Sequence, residues 1–294
     1  MTRIHLLFLI LVNALWGFNF VAGKAGTVVF GPMLFITLRF AIVLVLLAVF
    51  LRWVPGQMRR ILTIGICMGV GHFSFMFYGI FLAGSLSSVA ITSQLTVPFA
   101  TLLAVIFLGE RIRLIRVVAI LISFAGVVVI GFAPVGPEHL TAMILTAVAS
   151  LAMAVSTILI RQLKDVAVFN LQAWIALCAT TSMGIITLVL ERPQWQHIAS
   201  IPLIDYWTVT YSAIGATVVG HGLLYYLLKR YSVNSVAPFI TLSTLFAIVF
   251  GILFTGETLT LKIAIGGGLT LLGVTIIAVR NARENAPSGI RTPR

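Results

Sequence analysis

The apolar residues of this chain fall into long runs that are separated by short polar connections. Ten runs can be separated, each close to the length of about 20 residues that a helix needs to cross a bilayer. They cover about 4–22, 33–51, 61–83, 88–108, 114–132, 141–160, 167–190, 207–228, 236–255 and 260–279. Apolar and polar residues do not alternate within the runs as they would in a membrane barrel. Because a segment that crosses lipid must satisfy its own backbone hydrogen bonds, the pattern predicts ten transmembrane helices.

Composition supports a membrane protein and excludes several other classes. Of the 294 residues, 60% are hydrophobic and 9% are charged, whereas a soluble domain is about 45–50% apolar and about 25% charged. The net charge of +12 would suit nucleic acid, but the basic residues lie in short clusters between the runs, as topology signals do. Cys67 and Cys178 both lie inside apolar runs, which predicts neither a disulfide nor a metal site. We therefore expect no nucleic-acid partner, no metal, no cofactor and no enzymatic domain.

Lys and Arg are distributed unequally between alternate connections. With ten spans both termini lie on one side, and fifteen of the 19 Lys and Arg residues fall on that side. Three fall on the opposite side, and Arg39, inside the second span, completes the set. By the positive-inside rule, both termini are expected in the cytoplasm.

Residues 88–130 match residues 235–277 without a gap, at a constant offset of 147 residues. This offset pairs Gly109-Glu110 with Gly256-Glu257, each at the end of a predicted span. Each half holds five spans, so the second half must enter the membrane in the opposite orientation. The connection after Glu110 is strongly basic and the one after Glu257 is not, as expected if they lie on opposite sides.

The predicted fold is therefore an all-α integral membrane protein. Its ten transmembrane helices form two inverted-topology five-helix repeats around a central cavity, an arrangement that recurs among transporters. The first repeat is predicted over 1–134 and the second over 135–280, followed by a disordered, basic, cytoplasmic tail over 281–294.

Polar and aromatic residues inside the spans are the candidates for a binding site, because embedded polar groups usually face an interior or a cavity. The candidate substrate-binding residues are Asn13, Trp16, Asn19, His72, Met76, Tyr78, Gln94, Pro98, Ser156, His221, Tyr225, Thr241 and Thr244. His72 and His221 each follow a glycine in equivalent spans, the third and the eighth. A structural interpretation stays open for many of them, since hydroxyl groups often bond their own helix and Pro98 is able simply to kink its helix.

No Asp or Glu lies clearly inside a span of the sequence, which bears on the cargo. A proton-coupled exporter of cations usually needs a buried carboxylate, whereas amide, hydroxyl and aromatic groups suit a neutral or zwitterionic cargo. His72 and His221 are the candidates within the spans that titrate near neutral pH. A multidrug or cationic metabolite exporter stays open as the alternative. A channel and an intramembrane enzyme are alternatives from other functional classes.

Several short motifs resemble the drug/metabolite transporter superfamily, EamA type, over almost the whole chain. They are Leu15-Trp16-Gly17-Phe18-Asn19-Phe20 followed by Lys24, Leu38-Arg39-Phe40, Pro98 with Gly109-Glu110, and the repeated Gly256-Glu257. The chain resembles more closely the exporters of aromatic amino acids in this superfamily. The resemblance implies a cavity that is lined by helices 1, 3, 4, 6, 8 and 9 and opens alternately to each side. In the second copy, Leu245 stands where Pro98 would repeat.

These observations together predict an exporter of small zwitterionic metabolites, with amino acids, including aromatic ones, as its substrates. Transport is expected to proceed by alternating access. The protein is expected in the bacterial inner membrane, where its partners are the small-molecule substrate and the lipid bilayer. A monomer holds both repeats and is therefore expected to form the full pathway.

Overall fold

The computed structural model describes residues 2–109, 112–228, 230–231, 236 and 239–284, except for the side chains of 225 and 281–284. Every regular element in these ranges is a helix. Nine helices in the described ranges are long and apolar enough to cross a membrane, and a shorter apolar helix follows the eighth. The ten are named α1 to α10 in chain order.

The helices follow the apolar runs of the sequence closely. They span Arg3–Phe30 (α1), Pro32–Phe50 (α2), Met58–Leu82 (α3), Leu86–Leu108 (α4), Leu114–Gly131 (α5), His139–Arg161 (α6), Val168–Leu190 (α7), Leu203–Leu228 (α8), Leu242–Thr255 (α9) and Leu261–Glu284 (α10). A short helix over Arg192–His197 lies in the longest connection. The predicted first span was too short, because α1 continues past Lys24 to Phe30.

The predicted disordered tail begins inside a helix. The helix α10 continues to Glu284, four residues into the tail that the sequence analysis placed at 281–294. Ala, Arg and Glu are good helix formers, which explains why the helix continues beyond its apolar part. Residues 285–294 of the predicted tail lie outside the described residues.

The helices pair in the same way in both halves of the chain. The helix α1 packs along α9 as α6 packs along α4, and α1 contacts α8 as α6 contacts α3. The remaining helices pair with their own repeat partners, α2 with α7 and α5 with α10. Two copies related by a twofold axis in the membrane plane produce this pairing. The predicted pair of inverted five-helix repeats is thus confirmed.

The repeated Gly-Glu dipeptides begin with the same local structure. Gly109 ends α4 with φ 66° and ψ 22°, and Gly256 ends α9 with φ 65° and ψ 21°. This left-handed conformation is accessible to glycine at little cost and often terminates a helix. Glu110 lies outside the described residues. The glycine of the motif is therefore a helix stop that both repeats use.

Glycine also allows two helix pairs to approach each other closely. A Cβ atom at Gly17 of α1 would lie 2.8 Å from the backbone nitrogen of Ala247 in α9. A Cβ atom at Gly126 of α5 would lie 2.6 Å from the backbone nitrogen of Thr270 in α10. Such contacts are typical of membrane helices, in which small residues permit tight packing.

The outward faces of the helices are apolar. Val45, Phe107, Leu121 and Leu253 are examples of large hydrophobic side chains that are more than half exposed. Many polar side chains within the spans are instead buried, among them Asn13, Thr92 and Ser123. This distribution suits a surface that faces lipid, as expected of a multi-pass membrane protein.

Candidate functional site

A cavity of about 220 Å³ lies where α1, α2, α3, α6 and α8 meet. The helices α1 and α6 are equivalent in the two repeats, as are α3 and α8, so the cavity lies near the centre of the inverted repeat. Trp16 of α1 and Met153 of α6 pair at an offset of 137 residues, which aligns the first span with the sixth, and both line the cavity. The structure thus contains a cavity at the position predicted for the central cavity.

The two helices that carry the cavity histidines are irregular beside the cavity. The helix α3 is π-helical over Cys67–His72, and α8 is π-helical over Tyr211–Val219. Short π-helical segments are frequent at functional sites, because they re-aim side chains and alter backbone hydrogen bonding. In α8, the carbonyl of Ala216 accepts a hydrogen bond of 2.9 Å from the indole nitrogen of Trp16.

Hydrogen bonds to backbone carbonyls determine which ring nitrogen carries the hydrogen in each neutral histidine. Nδ1 of His72 lies 2.9 Å from the carbonyl oxygen of Ala149, and Nδ1 of His221 lies 3.0 Å from that of Thr217. A carbonyl oxygen accepts hydrogen bonds and cannot donate them, so each Nδ1 carries the hydrogen. In the neutral ring, Nε2 is then the acceptor. Each histidine thus keeps one acceptor nitrogen that a bound molecule can use.

Arg39 is the charged residue of the cavity lining, and the sequence-based set of candidates left it out. Its side chain is 3% exposed, and Nη2 donates a 2.9 Å hydrogen bond to Oγ1 of Thr217. Nε and Nη1 have no hydrogen-bond partner in the described part of the chain. The guanidinium carbon lies 5.2–5.3 Å from the ring centroids of Phe40, Phe73 and Phe77. Its position as an arginine deep inside a span was the signal that could have identified it.

Five of the predicted site residues line this cavity. They are Trp16, Asn19, His72, Met76 and His221. The ring centroids of Trp16 and His221 are 5.2 Å apart. Oδ1 of Asn19 accepts a 2.6 Å hydrogen bond from the hydroxyl of Ser212 in α8. The structure therefore brings together residues of the first, third and eighth spans.

Three further predicted residues connect helices to each other. Oδ1 of Asn13 accepts a hydrogen bond of 3.0 Å from the backbone N–H of Ser243, at the start of α9. The amide nitrogen of Gln94 donates a hydrogen bond to the hydroxyl of Thr244. The described lining takes no side chain from α4 or α9, although the resemblance implied that both line the cavity. These residues join α1 and α4 to α9.

Three more of the predicted residues lie outside this cavity. Pro98 is buried in α4, just beyond a break at 94–95 where its missing N–H and its ring interrupt the helix. The hydroxyl of Ser156 donates to the carbonyl of Ala152 in its own helix, at 3.0 Å. Tyr78 is 40% exposed and lines a different hollow, because six residues at roughly 100° each turn it away from His72.

The last two predicted residues lie at the edge of what the structure describes. Thr241 is half-buried, immediately before α9. The side chain of Tyr225 lies outside the described residues.

Glu257 caps α4 at the end of the molecule that faces away from the termini. Its carboxylate accepts hydrogen bonds from the backbone N–H groups of Leu86 at 3.0 Å and Ser87 at 3.2 Å, and also from the hydroxyl of Ser85. The first N–H groups of a helix have no partner within it, and they carry partial positive charge. A carboxylate from the end of α9 therefore satisfies the beginning of α4.

Lys24 caps the C-terminal end of α3, the helix that precedes α4. Its ammonium nitrogen donates hydrogen bonds to the carbonyl oxygens of Phe81 at 2.6 Å and Ala83 at 2.8 Å. These carbonyls belong to the negative end of α3. The turn between α3 and α4 is thus held by a cation from α1 and an anion from α9.

Known proteins resemble this chain over nearly its full length. The EamA-like transporter family matches residues 3–132 and 140–279. A probable amino-acid metabolite efflux pump of Salmonella typhimurium is 26% identical over 91% of this chain and 90% of the relative. A protein of the same description in Escherichia coli is 27% identical, also over 91% of this chain and 90% of the relative.

Two further similarities concern an archaeal relative and a solved structure. An uncharacterized transporter of Archaeoglobus fulgidus is 26% identical over 92% of this chain and 96% of the relative. A solved crystal structure superimposes with a TM-score of 0.62 at 17% identity, covering 97% of this chain and 99% of the other. At that identity, the structural similarity supports the fold alone.

Proposed function

The chain belongs to the EamA-like transporter family, and from this premise we propose that it exports small zwitterionic metabolites by alternating access. We include amino acids, and aromatic ones among them, in this class. Both halves match the family, and relatives over nine-tenths of the chain are described as efflux pumps, so the protein is a transporter and not an enzyme.

The observation that carries the proposal is the size and lining of the cavity between the repeats. Its volume is about 220 Å³, below the range of about 300–1,000 Å³ that is common for drug-sized ligands. Aromatic rings and thioethers of Trp16, Phe20 and Met76 lie beside the hydrogen-bonding groups of Asn19 and His72. This combination suits a molecule with a polar backbone and an apolar side chain.

The charge of the cavity argues against a cationic cargo. Arg39 contributes a guanidinium to the lining, and the part of the lining that the structure describes includes no carboxylate. A cationic drug would meet a like charge in a poorly hydrated space, which costs free energy. A zwitterion has an anionic group as well, and this removes the conflict.

The inverted repeat supports alternating access, because two equivalent halves around one site form similar gates on opposite sides. The contact of Glu257 with α4 is such a gate contact on the side away from the termini. One chain contains both repeats and the cavity, which supports the monomer as the transport unit. We place the protein in the bacterial inner membrane with both termini in the cytoplasm, as the distribution of basic residues favours.

Counterflow in proteoliposomes tests the proposal. Vesicles that contain purified protein and unlabelled phenylalanine are expected to accumulate labelled phenylalanine transiently and saturably. A channel would not show this stimulation from the opposite side. Exchange of cationic drugs without exchange of any amino acid would overturn the proposed substrate class.

A pair of tryptophan variants connects the transport to the cavity. Trp16→Ala removes a ring from the lining, whereas Trp53→Ala removes an exposed ring beyond the end of α2. A lost aromatic contact costs about 0.5–1.5 kcal/mol beyond the area that it buries. Trp16→Ala should therefore raise the KM of exchange several-fold, and Trp53→Ala should leave it unchanged. Equal KM values for both variants and the parent would place transport outside this cavity.

A further inference from the structure

We propose that Arg39 binds the carboxylate of the transported molecule. The inference rests on the proposed function, because it takes the cavity to be the transport site, and it narrows the substrate class. The substrates are carboxylates with a compact apolar side chain, and related molecules that lack the carboxylate bind more weakly.

The first support is the unsatisfied state of the guanidinium. Arg39 is 97% buried and lines the cavity, yet its Nε and Nη1 have no acceptor in the described ranges. Buried polar groups in native proteins nearly always have a hydrogen-bond partner, and charged ones are especially costly without it. Thr217 accepts a hydrogen bond from Nη2, but not from Nε or Nη1. The remaining N–H groups need an acceptor that the bound molecule can supply.

The second support is the absence of a counter-charge nearby. The acidic residues whose side chains the structure describes lie in the connections or beside helix ends, namely Glu138, Asp165, Glu191, Asp205 and Glu257. Arg39 forms no ion pair with any of these five. A cation deep in a membrane protein usually marks a binding site or an ion pathway, and it acts with a partner. Here the partner would be the cargo.

The third support is the aromatic setting of the charge. Phe40, Phe73 and Phe77 surround the guanidinium at cation–π distance. Ring faces stabilise its positive charge, but they are poor acceptors for N–H groups in the guanidinium plane. The rings therefore stabilise the charge of Arg39 but leave its N–H groups available to a carboxylate. Two carboxylate oxygens match the planar arrangement of N–H donors, which a single carbonyl does not.

The neighbouring groups fit the rest of an amino acid. His72 and His221 line the same cavity as Arg39, and each keeps Nε2 as an acceptor when neutral. An acceptor suits the ammonium group of a zwitterion. Trp16 and Met76 provide the apolar surface for its side chain.

The test compares ligands that differ at one group. Purified protein in detergent is titrated with phenylalanine, phenylalanine amide, phenethylamine and phenylacetate, and the Kd is measured calorimetrically. Hydrogen bonds to charged groups are strong enough that losing the carboxylate should weaken binding about tenfold to a hundredfold. Phenylalanine should therefore bind more tightly than its amide and than phenethylamine.

Arginine variants show whether the preference depends on Arg39. Arg39→Gln should reduce the preference for phenylalanine over its amide to less than about threefold, and Arg39→Lys should keep part of it. Arg116→Gln is the matched control, because it removes an equally buried arginine of α5 that is not in the cavity lining. It should keep the parental preference.

The outcomes separate this inference from the proposed function. The inference fails if parental protein binds phenethylamine as tightly as phenylalanine, a result that does not depend on any variant folding. It also fails if Arg39→Gln keeps the full preference. Tight binding of phenylacetate together with absent amino-acid counterflow would instead overturn the proposed zwitterionic cargo and still support Arg39 as the carboxylate site.

Discussion

Replacing Glu257 with Gln is expected to loosen the closure on the side that faces away from the termini. The carboxylate reaches from the end of α9 to the first turn of α4, where the N–H groups of Leu86 and Ser87 lie 3.0 and 3.2 Å away. Glutamine has almost the same shape, but it is neutral. It also replaces one acceptor oxygen by an NH₂ group, which would face N–H donors.

The size of the effect follows from the bonds that are lost. A hydrogen bond to a charged group contributes about 1.5–3 kcal/mol, and a carboxylate at a helix N-terminus adds about 0.3–1 kcal/mol. Because glutamine keeps one acceptor, we expect the closed arrangement to lose about 2–3 kcal/mol in total. This corresponds to a shift of about 30- to 150-fold in the equilibrium between closed and open arrangements.

Cysteine labelling measures this equilibrium. Val89 lies one turn into α4 and is 1% exposed, so a cysteine there is protected while the side is closed. In a background without Cys67 and Cys178, Val89→Cys is treated with a membrane-impermeant maleimide from the outside. Adding Glu257→Gln should increase the labelling rate by a factor approaching the equilibrium shift.

Glu191 provides the matched control. Its carboxylate accepts hydrogen bonds from the backbone N–H groups of Met33 at 3.0 Å and Leu34 at 2.7 Å, so it caps α2 and does not touch α4. Glu191→Gln should lower the melting temperature of the solubilised protein and leave labelling at Val89 unchanged. The reasoning is refuted if Glu257→Gln labels at the parental rate. It is also refuted if Glu191→Gln accelerates labelling equally, since that would indicate general loosening.

Three further predictions concern coupling, packing and topology. Gln at both His72 and His221 keeps hydrogen bonding but removes titration, so it should preserve exchange at equal pH. We expect the parent to move substrate only down its gradient, without accumulation driven by a pH gradient, and uphill uptake that a protonophore abolishes would contradict such facilitated transport. Gly17→Val should prevent recovery of folded protein in detergent, since its Cβ would collide with the backbone of α9, and an unchanged melting temperature would show that α1 can shift. Reporter fusions should place Arg59 in the cytoplasm and Glu138 outside, and finding both on one side would break the ten-span topology.

The sequence by itself determined the helices and their repetition. Lipid offers no hydrogen bonds to the backbone, so an apolar run of about 20 residues has few alternatives to a transmembrane helix. The Gly-Glu dipeptides at one offset marked the repeat, because the glycine of each ends a helix in a conformation that other residues rarely adopt. Hydrophobic length and local backbone preference are properties of a segment, and they can be read without knowing its neighbours.

The composition of the cavity could be predicted in part. Trp16 and Asn19 in α1, and His72 and Met76 in α3, were identified because polar or aromatic groups at helical spacing mark a face that avoids lipid. Such a pattern does not say what covers that face. Gln94 satisfied the same criterion, and it bonds to Thr244 in the neighbouring helix instead of facing the cavity.

Only the tertiary structure decided what the charged groups of Arg39 and Glu257 contact. Arg39 belongs to α2, a helix that the resemblance did not include in the lining, and it reaches the cavity because α2 packs beside α3 and α8. Glu257 follows α9 and was predicted merely to lie at a helix end, yet it caps α4, 171 residues away along the chain. Both contacts depend on how the two repeats are placed against each other. That placement results from the packing of many side chains across helices distant in sequence, which the periodicity of any one segment does not contain.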